Sequence, residues 1–349
     1  MSGKRKGASR RAPSATPWDG LPENQIAPSQ AIVKVAHEGI YRFRHERCAA
    51  DAAFFNGYPR SACPRCGSVR IKRNGTNRSG VQVYRCAECG RTSTPATGTI
   101  FDNSKLPVTA WADFVLQALS FESMSSMTRE DRRADTTTPY WMAKLFEVLD
   151  GVQDATVLDG RVWVDESFYP VAERDARRKP DGKLPSGLSS NQICIGVGVD
   201  ESGRCLLVRE GRGKTSRAKT WAAFGGHIEE RSVLVHDMEQ CHSVLVERLS
   251  LESEVYDARL LKGVPDELNP LDPANRVCFL MKCFLRSHSG FNRDNLQGYL
   301  DLLSVALNPP ADKLEKVALV LDRAMRCPKT LRFRDFYNVN PSSERSEEG

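Results

Sequence analysis

Residues 162–169 read VWVDESFY. A short apolar run rich in valine and aromatics is a strand signal, and this one carries an aspartate at its centre. Carboxylates are rarely buried unless they are paired or bind a metal ion, so Asp165 in such a run needs a partner. Glu166 follows directly, but adjacent strand residues point to opposite faces, so only one of the two can join a given site.

Reading outward, QICIGVGVD (192–200) and RCLLVRE (204–210) are further strands, KTWAAFGGHI (219–228) is a helix, SVLVHD (232–237) is a short buried strand and HSVLVERLSL (242–251) is a helix. Three strands in succession, then a helix, a strand and more helices, predict a mixed sheet with helices packed against it. Asp237 ends SVLVHD much as Asp165 sits in its own strand. Two such strands can bring two carboxylates side by side, where like charges disfavour ionisation. A divalent cation removes that conflict. Mg²⁺ prefers oxygen ligands, and a pair of such ions suits in-line phosphoryl transfer. The alternative is that each aspartate is a strand-end residue satisfied by backbone amides. His236 and His242 flank Asp237 without a metal-ligand spacing and read as local polar residues.

The segment NRVCFLMK (275–282) follows Asp272, a candidate N-cap, and Pro273 in the first turn. Its ends are an amide and an ammonium seven residues apart. On a helix that spacing puts Asn275 and Lys282 on one face, about 10 Å apart along the axis.

The N-terminal part has another texture. CPRCG (63–67) and CAECG (86–90) form two CxxC knuckles separated by nineteen residues. Four thiolates close a tetrahedral Zn²⁺ site with no open position, and VRIKRNG and VQVYR between them predict a β-hairpin stapled by one structural zinc per chain, a zinc ribbon. Arg65, Arg70, Lys72, Arg73, Arg78, Arg85 and Arg91 make it a candidate phosphate-contacting surface, with protein docking as the competing use. Residues 107–149 are helical in pattern, and two short helices after a longer one fit a helix-turn-helix variant. Its last helix would bring Thr137, Thr138 and Tyr140 to DNA; the alternative is an ordinary three-helix packing unit.

The chain has 349 residues, more than one usual domain, and 11 cysteines, an odd number that argues against a disulfide framework. The seven unpatterned cysteines read mostly as small buried hydrophobes. Residues 1–100 hold 17 Lys and Arg against 6 Asp and Glu, a net of +11, whereas the whole chain is +6. A basic N-terminal part on a mildly acidic body points to a nucleic-acid partner. There is no run of about 18 apolar residues and no apolar signal-peptide core, so no membrane partner and a cytoplasmic location are expected.

CPRCG…YRCAECG, TGTIFDNSKLPVTAW, VWVDESFY, GLSSNQICIGVGVDESG, SVLVHD and NPLDPANRVCFLMKCFLRSHSGFNRDNLQGYL stand in one order. In that order they resemble the zinc-ribbon DDE insertion-sequence transposases of bacteria, over roughly residues 40–305, and LRFRDFY (331–337) is similar too. The resemblance implies a multidomain chain whose catalytic core is ribonuclease H-like. Its first carboxylate would be Asp165, its second Asp237 and its third ligand a residue on a later helix. One branch of the family has Asn in the third position and Lys seven residues on, and Asn275 and Lys282 match it. Asp272, Glu267 and Asp294 are nearby acids that compete for the third role.

The implied organisation is a disordered basic arm (1–30), a helical lead-in (31–56), the ribbon (57–100), the helix-turn-helix-like module (101–150), the ribonuclease H-like domain (158–305), a C-terminal helical segment (306–340) and an acidic tail (341–349). The implied activity is transposition. Asp165, Asp237 and Asn275 would hold two Mg²⁺, for which Mn²⁺ can substitute, and cleavage would free 3′-OH ends that join to target DNA. Lys282, Lys105 and Lys214 would contact double-stranded DNA at transposon ends or target, in a DNA-assembled homodimer located with the nucleoid. The competing function is a non-catalytic zinc-ribbon DNA-binding regulator descended from such an enzyme.

Overall fold

The computed structural model describes residues 15–38 and 49–337. In chain order its elements are helices α1 (Pro28–His37) and α2 (Ala49–Asn56), strands β1 (Ile71–Thr76), β2 (Gln82–Cys86) and β3 (Thr92–Ser93), and helices α3 (Val108–Leu119), α4 (Met124–Glu130) and α5 (Thr137–Leu149). Strands β4 (Arg161–Pro170), β5 (Gln192–Asp200) and β6 (Cys205–Arg212), helix α6 (Arg217–Phe224), strand β7 (Val233–Asp237), helix α7 (Ser243–Leu249) and strand β8 (Glu252–Tyr256) follow. Helices α8 (Asp272–Ser287), α9 (Leu296–Leu307), α10 (Lys313–Arg326) and α11 (Phe333–Tyr337) complete it. The described residues fall into two compact units: those up to Leu116 with Asp312–Thr330, and Gln117–Ala311 with those from Leu331 onward. The stretch 101–150 is thereby divided, since the boundary runs through α3 while α4 and α5 belong to the second unit.

The first unit holds the antiparallel sheet β1-β2-β3 and an aromatic chain in which Phe54, Phe101, Trp111 and Phe114 meet edge to face at 5.8–5.9 Å. Helix α3 begins where the buried Asp51 carboxylate accepts the Val108 amide at 2.8 Å, which satisfies one of the free N–H groups of its first turn. Residues 15–30, expected to be disordered from composition, contain a 3-10 turn at Glu23–Gln25, the start of α1 and a buried Trp18. Asp19 ties this stretch down by accepting from the Thr16 hydroxyl and pairing with Lys34. The rest of the expected basic arm (1–14), part of the helical lead-in (39–48, with Cys48) and the acidic tail lie outside the described residues.

The second unit is built on a five-stranded mixed sheet of order β6-β5-β4-β7-β8. Strands β4, β5 and β6 are antiparallel neighbours, and β7 and β8 run parallel to β4. Val162, Val164, Leu206 and Leu234 form one core cluster with Phe224 of α6 and Val244, Leu245 and Leu249 of α7. The GVGV alternation in β5 has a steric cause. A Cβ on Gly196 would come within 2.9 Å of the Phe224 ring, and one on Gly198 within 3.0 Å, so glycine leaves room for the phenyl group. Phe224 is wholly buried. Phe224→Ala is expected to cost about 3–5 kcal/mol in chemical denaturation, because the two glycines beside it cannot fill the void.

Helix α8 packs against the other face, where the Trp163 indole of β4 donates to the Pro270 carbonyl at 2.8 Å just before the helix begins. Asp272 is the first helical residue and makes no capping bond. The turn is held by Asn269 instead, whose side-chain oxygen accepts the Leu271 amide and whose carbonyl accepts that of Asp272.

Candidate active site

The pleat of β4 separates its adjacent acids. Asp165 lies on the α8 side, 3.7 Å from the Cys278 thiol, with its Oδ1 accepting the Glu166 amide at 2.8 Å. Together with Asp237 at the end of β7 and Asn275 in the first turns of α8, it lines a cavity of about 700 Å³. Asp237 is half-buried, and its Oδ1 accepts the Glu239 amide at 2.9 Å. Burial pushes the Asp165 carboxyl above the ordinary range, and the negative charges of Glu166 and Asp237 add to it. All three side chains offer oxygen donors, two of them carboxylate, which is the set a hard cation such as Mg²⁺ or Mn²⁺ takes.

Asn275 and Lys282 are both exposed on α8, between the buried residues Ala274, Val277, Cys278 and Met281. Asp272 and Glu267 are not among the cavity-lining residues, and Asp294 lies beyond α8 in the 3-10 turn Arg293–Asn295. Two further cations line the cavity: Arg259, paired with Asp257 at 2.7 Å, and Lys262. The segment between β8 and α8 that carries them has no periodicity to mark them as cavity residues. The available signal was two cations early in the 257–271 segment that leads into the helix carrying Asn275.

Glu166 faces away from the cavity into a buried cluster. Its Oε1 lies 2.9 Å from His242 Nε2 and 3.4 Å from the Cys241 thiol. Burial works against the Glu166 charge, but the His242 hydrogen bond and charge hold the carboxyl below its usual range. Burial likewise opposes charging of His242, yet its bonds to Cys241 and Glu166 carry it up to about 10. His236 and His242 are thus buried members of a network and not the local polar residues their spacing suggests.

In the first unit the four patterned cysteines come together. Cys63 and Cys89 Sγ are 3.7 Å apart, Cys66 and Cys86 Sγ 3.6 Å, and all four can bind one metal ion. Each knuckle closes by a glycine amide, Gly67 to the Cys63 carbonyl and Gly90 to that of Cys86, with both glycines at positive φ. The Arg65 amide aimed at Cys63 draws its thiol down to about 6. Arg65, Arg70, Lys72, Arg73 and Lys105 are exposed, with Arg70 paired to Glu88 at 2.6 Å.

The other expected DNA contacts are distributed differently. Lys214 is exposed and pairs with Glu239 at 3.6 Å. Thr138 is wholly buried in α5 with its hydroxyl 2.7 Å from that of Thr128, so its side chain is not presented to a groove. Thr137 is half-buried, and the Tyr140 hydroxyl donates to the Leu331 carbonyl at 2.6 Å while its ring meets Phe333. The other cysteines divide: Cys194, Cys205, Cys241 and Cys278 are buried, whereas Cys283 is exposed and Cys327 partly so.

No protein-family model matches the chain. It is similar to an uncharacterized protein in transposable element ISH50 of Halobacterium salinarum, 30% identical over 131 residues, which are 37% of this chain and 42% of that protein. The match therefore spans about two fifths of the relative's length. Among solved structures, the Mos1 strand transfer complex is similar at 14% identity over 61% of this chain and 76% of that one, with a TM-score of 0.28. The simian T-cell lymphotropic virus intasome in complex with PP2A regulatory subunit B56 gamma is similar at 11% identity over 55% and 64%, with a TM-score of 0.29. At such scores the architecture rests on its own strand order. No helix among the described residues is long and apolar enough to cross a membrane.

Proposed function

We propose that the chain is a DNA transposase of an insertion sequence, with a ribonuclease H-like catalytic core in its second unit and a zinc ribbon in its first. The observation that carries this reading is the cavity lined by Asp165, Asp237 and Asn275, from the central strand, the adjacent parallel strand and the helix beyond the sheet. Support comes from the layout the ribonuclease H-like resemblance implies, a first carboxylate on the first strand of the sheet and a second at the end of the fourth, which are the positions of Asp165 and Asp237. The similarity to a protein of a transposable element supports the same class.

Asp165, Asp237 and the Asn275 amide oxygen would hold divalent cations, which when bound supply charge neutralisation and activation of the attacking oxygen for in-line displacement at phosphorus. The residues of the chain do the rest by position. Water attack breaks the P–O3′ bond at the element end, leaving a 3′-hydroxyl and a 5′-phosphate; the freed 3′-hydroxyl then attacks a target phosphorus, forming a new P–O bond as the target's own P–O3′ bond breaks and its 3′-hydroxyl leaves. Lys282 meets the DNA backbone as a point charge, and Arg259 and Lys262 screen phosphates at the cavity wall. The ribbon, with Arg65, Arg70, Lys72 and Arg73, binds the element ends. Two ends cut together require two such sites, hence a homodimer assembled on DNA.

The test is cleavage and strand transfer by the full chain on DNA carrying the element's ends, with Mg²⁺ or Mn²⁺. Nicked ends joined to target DNA are expected. Binding of the ends without any nicking would instead make the chain a regulator. Within this reading the third ligand has its own test. Asn275→Ala is expected to lose cleavage by about 10²-fold or more while still binding ends. Asn275→Asp, which adds a charge to the same oxygen donor, is expected to cleave at lower Mg²⁺ concentration than the wild type. Full activity in Asn275→Ala moves the role to a neighbouring acid such as Asp272.

A further inference from the structure

We infer that Glu166 and His242 are positioning residues that fix the Asp237 carboxylate, from behind the sheet, for the divalent cation it would bind; this rests on the catalytic reading of the cavity. A single imidazole spans the two strands that carry the aspartates. His242 Nε2 lies 2.9 Å from Glu166 Oε1, one residue along β4 from Asp165. Its Nδ1 lies 3.8 Å from Asp237 Oδ1 at the end of β7, beyond hydrogen-bond reach but within that of an ion pair. The same Nδ1 is 3.4 Å from His236 Nδ1, and His236 Nε2 is 3.0 Å from the Ser253 hydroxyl on β8. The chain of contacts therefore links Glu166 of β4, through His242 and His236 of β7, to Ser253 near the start of β8, opposite Leu234. Asp237 Oδ1 also accepts the Glu239 amide at 2.9 Å, so that oxygen has one hydrogen bond and one imidazole at ion-pair distance.

Stability alone is a poor explanation for the pair. The Glu166 side chain is 7% exposed and that of His242 is fully buried. A buried ion pair is often no more stabilising than apolar side chains of the same volume. Outer residues that orient a metal-binding carboxylate, by contrast, commonly change metal affinity by 10–100-fold when replaced. The Glu166–His242 pair abuts the residues on both sides of the cavity, next to Asp165 in sequence and against Asp237 in space.

The experiment uses the full chain with Mn²⁺ as probe, counting free ion by its electron paramagnetic resonance signal, alongside Mn²⁺ titration of end cleavage. Glu166→Gln and His242→Ala are each expected to weaken Mn²⁺ binding by about tenfold or more. The Mn²⁺ concentration for half-maximal cleavage should rise by a similar factor, with cleavage at saturating Mn²⁺ within a few-fold of wild type. His242→Gln, which keeps an N–H directed at Glu166, should recover part of the loss. Thermal unfolding without metal separates the structural role. A lowered Tm with a wild-type Mn²⁺ midpoint, or loss of the fold in both variants, makes the pair structural and overturns the inference. The underlying reading fails separately, and the inference with it, if the wild-type chain shows no Mn²⁺ binding that Asp165→Ala removes.

Discussion

Asp165→Ala and Asp237→Ala chains are expected to bind element-end DNA as the wild type does and to cleave it slower by on the order of 10³-fold or more. The reasoning starts from electrostatics. Only two of the three proposed ligands carry charge, because the Asn275 amide contributes an oxygen and no more. Removing either aspartate halves the fixed negative charge facing a bound cation. Preorganised charge at a reacting phosphate is where most of the barrier reduction comes from, and loss of a single neutral donor already costs about 10²–10³. End binding should persist because the exposed cations of the cysteine-bearing sheet lie in the first unit, away in sequence from both aspartates. Gel-shift and single-turnover cleavage assays on the same DNA measure both quantities.

A second readout separates this role from a structural one. Asp165 is buried beside Glu166 and Asp237, and its carboxyl is pushed up mainly by burial. A raised folded-state value means that the group favours the fold when protonated and that this contribution is lost as pH rises through it. At neutral pH without divalent cations, Asp165→Asn should therefore leave Tm unchanged or raise it. A structural aspartate would show the opposite, and a marked fall in Tm together with retained cleavage would remove Asp165 from the site.

What could be read in advance follows from which forces leave a pattern in one dimension. VWVDESFY, QICIGVGVD and SVLVHD announce strands because the sheet is covered on both faces, so inward and outward positions alike are apolar. Strand β8 gives no such signal. ESEVY is an edge strand with a largely exposed, polar pattern, and its order comes from parallel pairing with β7. Asn275 and Lys282 are legible because seven residues are nearly two helical turns. Arg259 and Lys262 are not, since an aperiodic loop carries no information about which wall it will form. Likewise, His242 lacks any ligand spacing relative to His236. Its meaning appears only when the 3-10 turn Gln240–His242 folds back against Glu166, 76 residues earlier in the chain. Thr138 illustrates the reverse error: position at a helix start says nothing about which neighbour covers the side chain, here Thr128.

Cys86→Ser should have the largest effect on the first unit. The wild-type chain is expected to contain one zinc ion, and the variant close to none after dialysis against a weak chelator. The sheet that carries the knuckles has little else to hold it. β1 leaves every residue but Ile71 exposed, and β3 is two residues long. Its buried side chains are few: Cys63, Val81, Tyr84, Cys86 and Ser93. Structural zinc in small domains contributes apparent binding free energies of about 10–16 kcal/mol at neutral pH, far more than such a core supplies. Serine cannot replace a thiolate here, because its hydroxyl stays protonated at neutral pH and is a poor zinc ligand. The expected signature is proteolytic sensitivity confined to about residues 63–91, weaker binding of element ends with a shallower salt dependence as Arg65, Arg70, Lys72 and Arg73 lose their common surface, and an unchanged unfolding transition for the second unit. Treatment of the wild type with a strong chelator should reproduce each of these. A Cys86→Ser chain that keeps one zinc per molecule would show that the four thiols are not the site.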